Sequence, residues 1–298
     1  MRIRELLTTG RPSFSFEFFP PQDEAGFAQL RETLASLREL QPTYVSVTYG
    51  TGGSTRQRTI ALVTSLRAQY GLEAMAHLTC AGASRAEIQT VLESLQAAGV
   101  ENLLALRGDP PADQATFIPQ PDGFAHASDL AAFAKQQFRF CIGGACYPER
   151  HVEAPSFEVD LQNLQRKVEA GCEYLITQLF FDNQRYFDFV ARARAAGIGV
   201  PIIPGIMPIT SVRQVERFTK LCGATLPEPL LSELQRVRDD HHAVLSLGVA
   251  QATAQCLELL HRGAPGIHFY TLNKSPATRT ILTALRTGYP PARYPAGR

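Results

Sequence analysis

One carboxylate, Glu17, stands among four phenylalanines in the run FSFEFFPP (14–21), which two prolines close. Strand periodicity puts Phe14, Phe16 and Phe18 on one face and Ser15 with Glu17 on the other. The phenylalanines would pack against helices while the carboxylate points into poorly solvated space. Desolvation disfavours the charged form and raises the pKa, which suits a general acid that must keep its proton near neutral pH. The alternative is a structural ion pair with an arginine such as Arg107.

Asp109 sits in RGDPP, where Gly108 lets the backbone approach a ligand and the prolines fix the exit, although the same residues also make a simple turn. His77 has no H-x-H companion, which speaks against catalytic zinc, and DDHHAV (239–244) reads as a solvated helix face. Asp160, Asn163 and Lys167 recur at helical spacing beside Arg166. Such a stripe either grips a phosphate or faces water. There are only four lysines, at 135, 167, 220 and 274, against 25 arginines, so a Schiff-base nucleophile has few candidates. Six cysteines form no C-x-x-C pair and read as reduced.

These residues need a scaffold, and the alternation of apolar runs predicts one. Strands are expected at 14–19, 43–50, 73–80, 102–109, 139–148, 174–181, 200–208 and 266–273. Between them lie amphipathic helices. Asp23 caps the first, with Phe27, Leu30, Leu34 and Leu37 on one face; another spans about 55–70; Ser84 and Glu87 form a capping box ahead of Ile88, Val91, Leu92 and Leu95. Further helices carry Phe157, Leu161, Leu164 and Val168, then Tyr186, Phe189 and Val190. A long helical region covers about 211–262 and a last helix about 276–287. Eight strands alternating with helices over 298 residues predict an α/β fold, a single (β/α)8 TIM barrel over 1–298, and no Rossmann or P-loop glycine pattern is present. The proline-rich stretch 108–123 is expected to be a loop over the site.

In such a barrel the strand ends carry the site. Here they are polar: Glu17, Thr48, His77, Arg107 with Gly108 and Asp109, Tyr147, Gln178, and Asn273 with Lys274. The formal charge of +1, with 45% hydrophobic and 19% charged residues, gives no reason to expect nucleic acid or a membrane as partner. The charged start and the lack of a run near the roughly 20 apolar residues a span needs lead to the expectation of a cytoplasmic protein.

FSFEFFPP, VSVTYGTGGSTRQRT, AHLTCAG, LLALRGDPP, ITQLFFDN, IIPGIMPI and HFYTLNKSPATR together resemble the catalytic barrel of the methylenetetrahydrofolate reductase family in its short bacterial form, from about Phe14 to Leu285. The resemblance implies bound FAD at the barrel mouth, NADH or NADPH as co-substrate, and reduction of 5,10-methylenetetrahydrofolate to 5-methyltetrahydrofolate. It implies that Glu17 is the acid that helps open the five-membered ring to a 5-iminium cation, with Asp109 near flavin and pterin. Gln178, Gln214, Phe218 and Lys274 would contact folate or nicotinamide. Flavin contacts would fall on Thr48, Tyr49, His77, Arg107, Gly108, Asp109, His126, Ala127, Tyr147, His151, Ala154, Asp160, Asn163, Arg166 and Lys167. His126 stands where some relatives carry tyrosine, and Lys274 where others carry arginine. A homodimer or homotetramer is expected on the same ground, with no metal. A competing chemistry on this barrel is a Schiff-base lyase using Lys274, which would need that lysine buried.

Overall fold

A computed structural model describes residues 1–49, 53–110, 116–274 and 276–289. Gly50, at the end of the second expected strand, residues 111–115 of the expected loop, and Ser275 lie outside them. The strands are β1 (Ser13–Phe18), β2 (Tyr44–Val47), β3 (Ala74–Thr79), β4 (Asn102–Leu106), β5 (Cys141–Cys146), β6 (Tyr174–Thr177), β7 (Ile202–Ile203), β8 (Gly205–Ile206) and β9 (Gly266–Tyr270). The helices are α1 (Ile3–Leu7), α2 (Glu24–Arg38), α3 (Gly53–Tyr70), α4 (Arg85–Ala97), α5 (Ala127–Gln137) and α6 (Phe157–Glu169). They continue as α7 (Asn183–Ala195), α8 (Val212–Cys222), α9 (Glu228–Arg236), α10 (His241–His261) and α11 (Pro276–Gly288).

All strand pairs are parallel, in the order β7-β6-β5-β4-β3-β2-β1-β9-β8. The two ends of that order are one strand of the expected set, interrupted at Pro204, which has no N–H to give to a ladder. Ile202–Ile203 pair with β6 and Gly205–Ile206 pair with β9, while the Pro204 carbonyl accepts from the His268 N–H at 2.9 Å. The sheet therefore closes through the break, and the (β/α)8 barrel is the observed architecture.

Local signals explain most helix starts. The Asp23 carboxylate accepts from the Gly26 N–H at 2.8 Å, and Ser84 and Glu87 exchange hydrogen bonds at 3.2 and 2.8 Å. In DDHHAV, Asp240 accepts from the His242 and Ala243 N–H groups, so part of that run is the cap of α10. The expected helical region 211–262 resolves into α8, α9 and α10.

Outward-facing residues of the strands, among them Phe14, Phe16, Phe18, Val45, Val47, Leu103 and Phe269, pack under the surrounding helices. Inside, the lower end of the barrel holds Tyr44, Met75, Leu104, Cys141, Tyr174, Ile176 and Ile203. The short helix α1, not anticipated in the sequence, seals that end with Ile3 and Leu7, and the Ile3 N–H donates to the Asn102 side chain at 2.8 Å. Above this plug the interior positions turn polar: Ser15, Glu17, Ser46, His77, Thr79 and His268 are all buried.

α10 is long and apolar enough, by length and composition, to cross a membrane, although no such run was anticipated. In the fold it packs against α7 and α11, with Ala252, Cys256, Leu259 and Leu260 joining the main core. Its approach is close at Gly248, where a Cβ atom would lie 1.9 Å from the Ile209 carbonyl oxygen. Gly248→Ala should therefore destabilise the protein by about 1–3 kcal/mol, read as a lower urea midpoint at unchanged slope, despite the better helix propensity of alanine.

Candidate active site

Glu17 lies near the end of β1 with its carboxylate facing two histidines that the barrel brings in from opposite sides. One carboxylate oxygen lies 3.6 Å from His77 Nε2 and 3.5 Å from His268 Nε2. The three residues are 7%, 5% and 0% exposed. On the far side of the His268 ring, Nδ1 is 2.8 Å from Ser15 Oγ, which fixes the ring plane. Both Nε2 atoms are buried without a hydrogen-bond partner closer than the carboxylate. A clasp above holds the strand end: Thr271 donates to the Glu17 carbonyl, and the Asn273 side chain bonds both the N–H and C=O of Phe19, at 2.8 and 2.9 Å. Leu272 and Asn273 reach this position in left-handed backbone conformations, φ 51° and 57°, a strained pair of the kind found beside binding sites.

The electrostatics correct one expectation. Burial drives the Glu17 carboxyl up, but His268 and then His77 draw it back further, so it lies below the ordinary carboxylate range rather than above it. The sequence reading placed no imidazole beside it. The pull depends on charge in the rings, and burial pushes His77 down to about 4, so His77 is neutral at neutral pH. Glu17 and its two histidines form one buried cluster. The ion-pair alternative also falls away, because Arg107 bonds Glu153 instead, one oxygen at 2.7 Å.

Next to these strand ends opens a cavity of about 300 Å³. Ten of the expected flavin contacts line it: Arg107, His126, Ala127, Tyr147, His151, Ala154, Asp160, Asn163, Arg166 and Lys167. The polar stripe of α6 thus lines this cavity, with Asn163 and Arg166 also exposed. The first turn of α5 also faces it, with Ala127 and Ser128. Lys167 is drawn into the wall, where its ammonium donates to the Ala145 carbonyl and burial lowers its pKa. Asp160 accepts from the His151 N–H at 2.9 Å, and His151 meets the Tyr147 ring edge-on at 4.6 Å. Gly108 has φ 85°, and a Cβ there would lie 2.9 Å from Ala81 Cβ, so glycine is required where the chain leaves β4.

The remaining expected residues are spread around the same end of the barrel. Thr48 and Tyr49 follow β2, and burial pushes the Tyr49 phenol up to about 12. Asp109 is exposed after β4 and its charge acts on Arg107 and Tyr147, not on Glu17. Gln178 follows β6, with its side-chain oxygen accepting from the Leu179 N–H at 2.8 Å. Gln214 and Phe218 lie on α8, Phe218 against the cluster of Leu179, Met207 and Val215. Lys274 is exposed, the opposite of what a Schiff-base lysine needs. Two participants were missed. His268 could have been found from the polar residue at a core-facing position of GIHFYTLN, and Glu153 carries no such signal in the sequence.

The family model described as methylenetetrahydrofolate reductase matches residues 2–286. The chain belongs to this family. It is 37% identical over 295 residues to methylenetetrahydrofolate reductase (NADH) 1 of Arabidopsis thaliana, covering 95% of this chain and 50% of the relative. Against the 5,10-methylenetetrahydrofolate reductase of Pectobacterium carotovorum it is 35% identical over 276 residues, covering 93% of this chain and 91% of the relative. The chain thus spans about half the length of the plant reductases it matches and most of the bacterial one. Among solved structures, a Clostridium thermocellum protein described as binding two copies of 5-methyl-5,6,7,8-tetrahydrofolic acid superimposes with TM-score 0.65 at 17% identity, over 97% of this chain and 99% of the other. At that identity the likeness establishes the fold.

The cavity suits a dinucleotide such as the family's FAD. It combines the N-terminus of α5 with the cationic side chains of Arg107, Arg166 and Lys167, a donor set that matches a diphosphate. Its volume accommodates part of that molecule.

A consequence for stability follows from His77. Its pKa falls from an ordinary 6.5 to about 4, so below pH 6.5 the unfolded chain binds a proton that the fold refuses. The stability this confers is whole above pH 6.5 and is lost toward pH 4, by up to about 3 kcal/mol. His77→Gln should flatten that segment of the pH–stability curve, measured by denaturant titration across the range.

Proposed function

We propose that this chain reduces 5,10-methylenetetrahydrofolate to 5-methyltetrahydrofolate, with electrons from NADH or NADPH passing through bound FAD. The observation that carries the reading is a buried carboxylate between two imidazoles, at the strand ends of a barrel and beside a cavity lined by Arg107, Arg166 and Lys167. FAD, when bound, supplies the hydride carrier between two substrates that use the site in turn.

Glu17 is the acid. The methylene bridge must open before its carbon can accept hydride, and opening leaves a nitrogen that needs a proton. A carboxyl drawn below the ordinary range is a stronger donor once protonated, and in this reading Glu17 acquires its proton in the substrate complex. After transfer the carboxylate stands beside the new iminium cation and stabilises it. Ser15 keeps His268 in place, at 2.8 Å. Asp109 adds a second negative charge at the mouth, on the side of Arg107 and Tyr147. Gln178, Gln214 and Phe218 would contact folate or nicotinamide, and exposed Lys274 would attract a folate carboxylate as a point charge without the fork of an arginine. Relatives named for NADH make NADH the first reductant to test. Family likeness supports a cytoplasmic homodimer or homotetramer.

Anaerobic absorbance near 450 nm, followed on adding NADH and then methylenetetrahydrofolate, tests the reading. Wild type should bleach and recover. Glu17→Gln should bleach at a comparable rate and recover at least about 100-fold more slowly, the usual weight of a general acid. A flavin-loaded wild type that neither bleaches with NADH or NADPH nor recovers with folate would refute the proposal.

A further inference from the structure

Arg107 lines the cavity, yet both nitrogens of its guanidinium fork are already engaged by one carboxylate, Glu153, with one contact at 2.7 Å. Its Nε donates to the Gly108 carbonyl at 3.2 Å, and the guanidinium lies over the Phe117 ring at 4.9 Å. Arg107 is thereby fixed from below and behind. Glu153 is different: its side chain is 49% exposed against 22% for Arg107. It belongs to the connection between β5 and α6, where its N–H donates to His151 Nδ1 at 3.1 Å and the Ala154 N–H to the His151 carbonyl at 3.0 Å. Those backbone bonds hold the turn without help from the Glu153 carboxylate.

We propose that Glu153 is a displaceable counter-anion for Arg107, occupying the guanidinium fork in place of a cofactor phosphate and giving it up when the phosphate arrives. The inference rests on the reading of this cavity as the FAD site. A guanidinium accepts carboxylate and phosphate in the same bidentate geometry, so one anion can replace the other without moving the arginine. Releasing Glu153 leaves no buried charge behind, because its side chain already reaches solvent. The exchange keeps Arg107 neutralised and ordered in both states. Its cost is part of the binding free energy given up, since the incoming phosphate gains an ion pair only by breaking one.

Removing the competing charge should therefore tighten cofactor binding. The loaded full-length chain is diluted, released FAD is followed by the recovery of flavin fluorescence, and dissociation constants are compared for wild type, Glu153→Gln and Glu153→Ala. Both variants should bind FAD about two- to fivefold more tightly, the upper part of the range for an exposed ion pair. Their affinity should also fall more steeply with salt, because binding now gains an ion pair that wild type only exchanges. ADP, which carries the diphosphate without the flavin ring, should compete better by a similar factor. Unchanged or weaker FAD binding in both variants would overturn the inference and make Glu153 a strut for Arg107. A wild type that retains no FAD would overturn the function reading itself, and this inference with it.

Discussion

The structure depends on how a carboxylate can be buried at the centre of a barrel mouth. Glu17 has almost no water, and isolated burial of a charged carboxylate is prohibitive in a low-dielectric interior. The chain solves this with two imidazoles from strands on either side, β3 and β9, each pairing with its own neighbours in a closed sheet. Closure matters for that reason. β1 lies between β2 and β9, so His268 is one strand away from Glu17 and His77 two strands away, and only a continuous barrel fixes both distances at once.

What lies beneath the acid is as important as what flanks it. The apolar plug of Tyr44, Met75, Tyr174 and Ile203, sealed by α1, keeps solvent from reaching the cluster from below. Access is then from the strand ends alone, where a ligand can cover it. The broken seventh strand contributes here too. Pro204 cannot take part as a donor, but its carbonyl holds the His268 backbone, and the Tyr270 hydroxyl bonds the Thr177 carbonyl at 2.6 Å across the same seam. The weakest join of the sheet is thus reinforced next to the residue that most influences Glu17.

Much of this could be read in the sequence. Alternation in FSFEFF assigned the two faces of β1, since the period of a strand is insensitive to what surrounds it. Capping at Asp23 and Ser84 was legible because it is local. The spacing of Asp160, Asn163, Arg166 and Lys167 gave one helix face, although whether that face met a ligand or water needed the fold. The sign of the Glu17 pKa shift was not legible. It depends on His77 and His268, distant in the chain and adjacent only through sheet order. α1 escaped because five residues give too little periodicity, and the split of the seventh strand because a single proline in an apolar run leaves the expected strand intact. Arg107 was considered as a partner for Glu17. It went to Glu153, on a connection whose course only the folded chain reveals.

The separation of the two charged systems follows from these placements. A guanidinium near Glu17 would hold it as a permanent anion, because arginine keeps its charge at any accessible pH, and an acid so paired could not carry a proton. Imidazoles can lose theirs. His77 is neutral at neutral pH, so no permanent cation faces Glu17 from β3. The arginine and lysine side chains Arg107, Arg166 and Lys167 line the cavity instead. Cationic side chains around the cavity and imidazoles around the buried carboxylate are two different surroundings for negative charge. This barrel places them side by side on one rim.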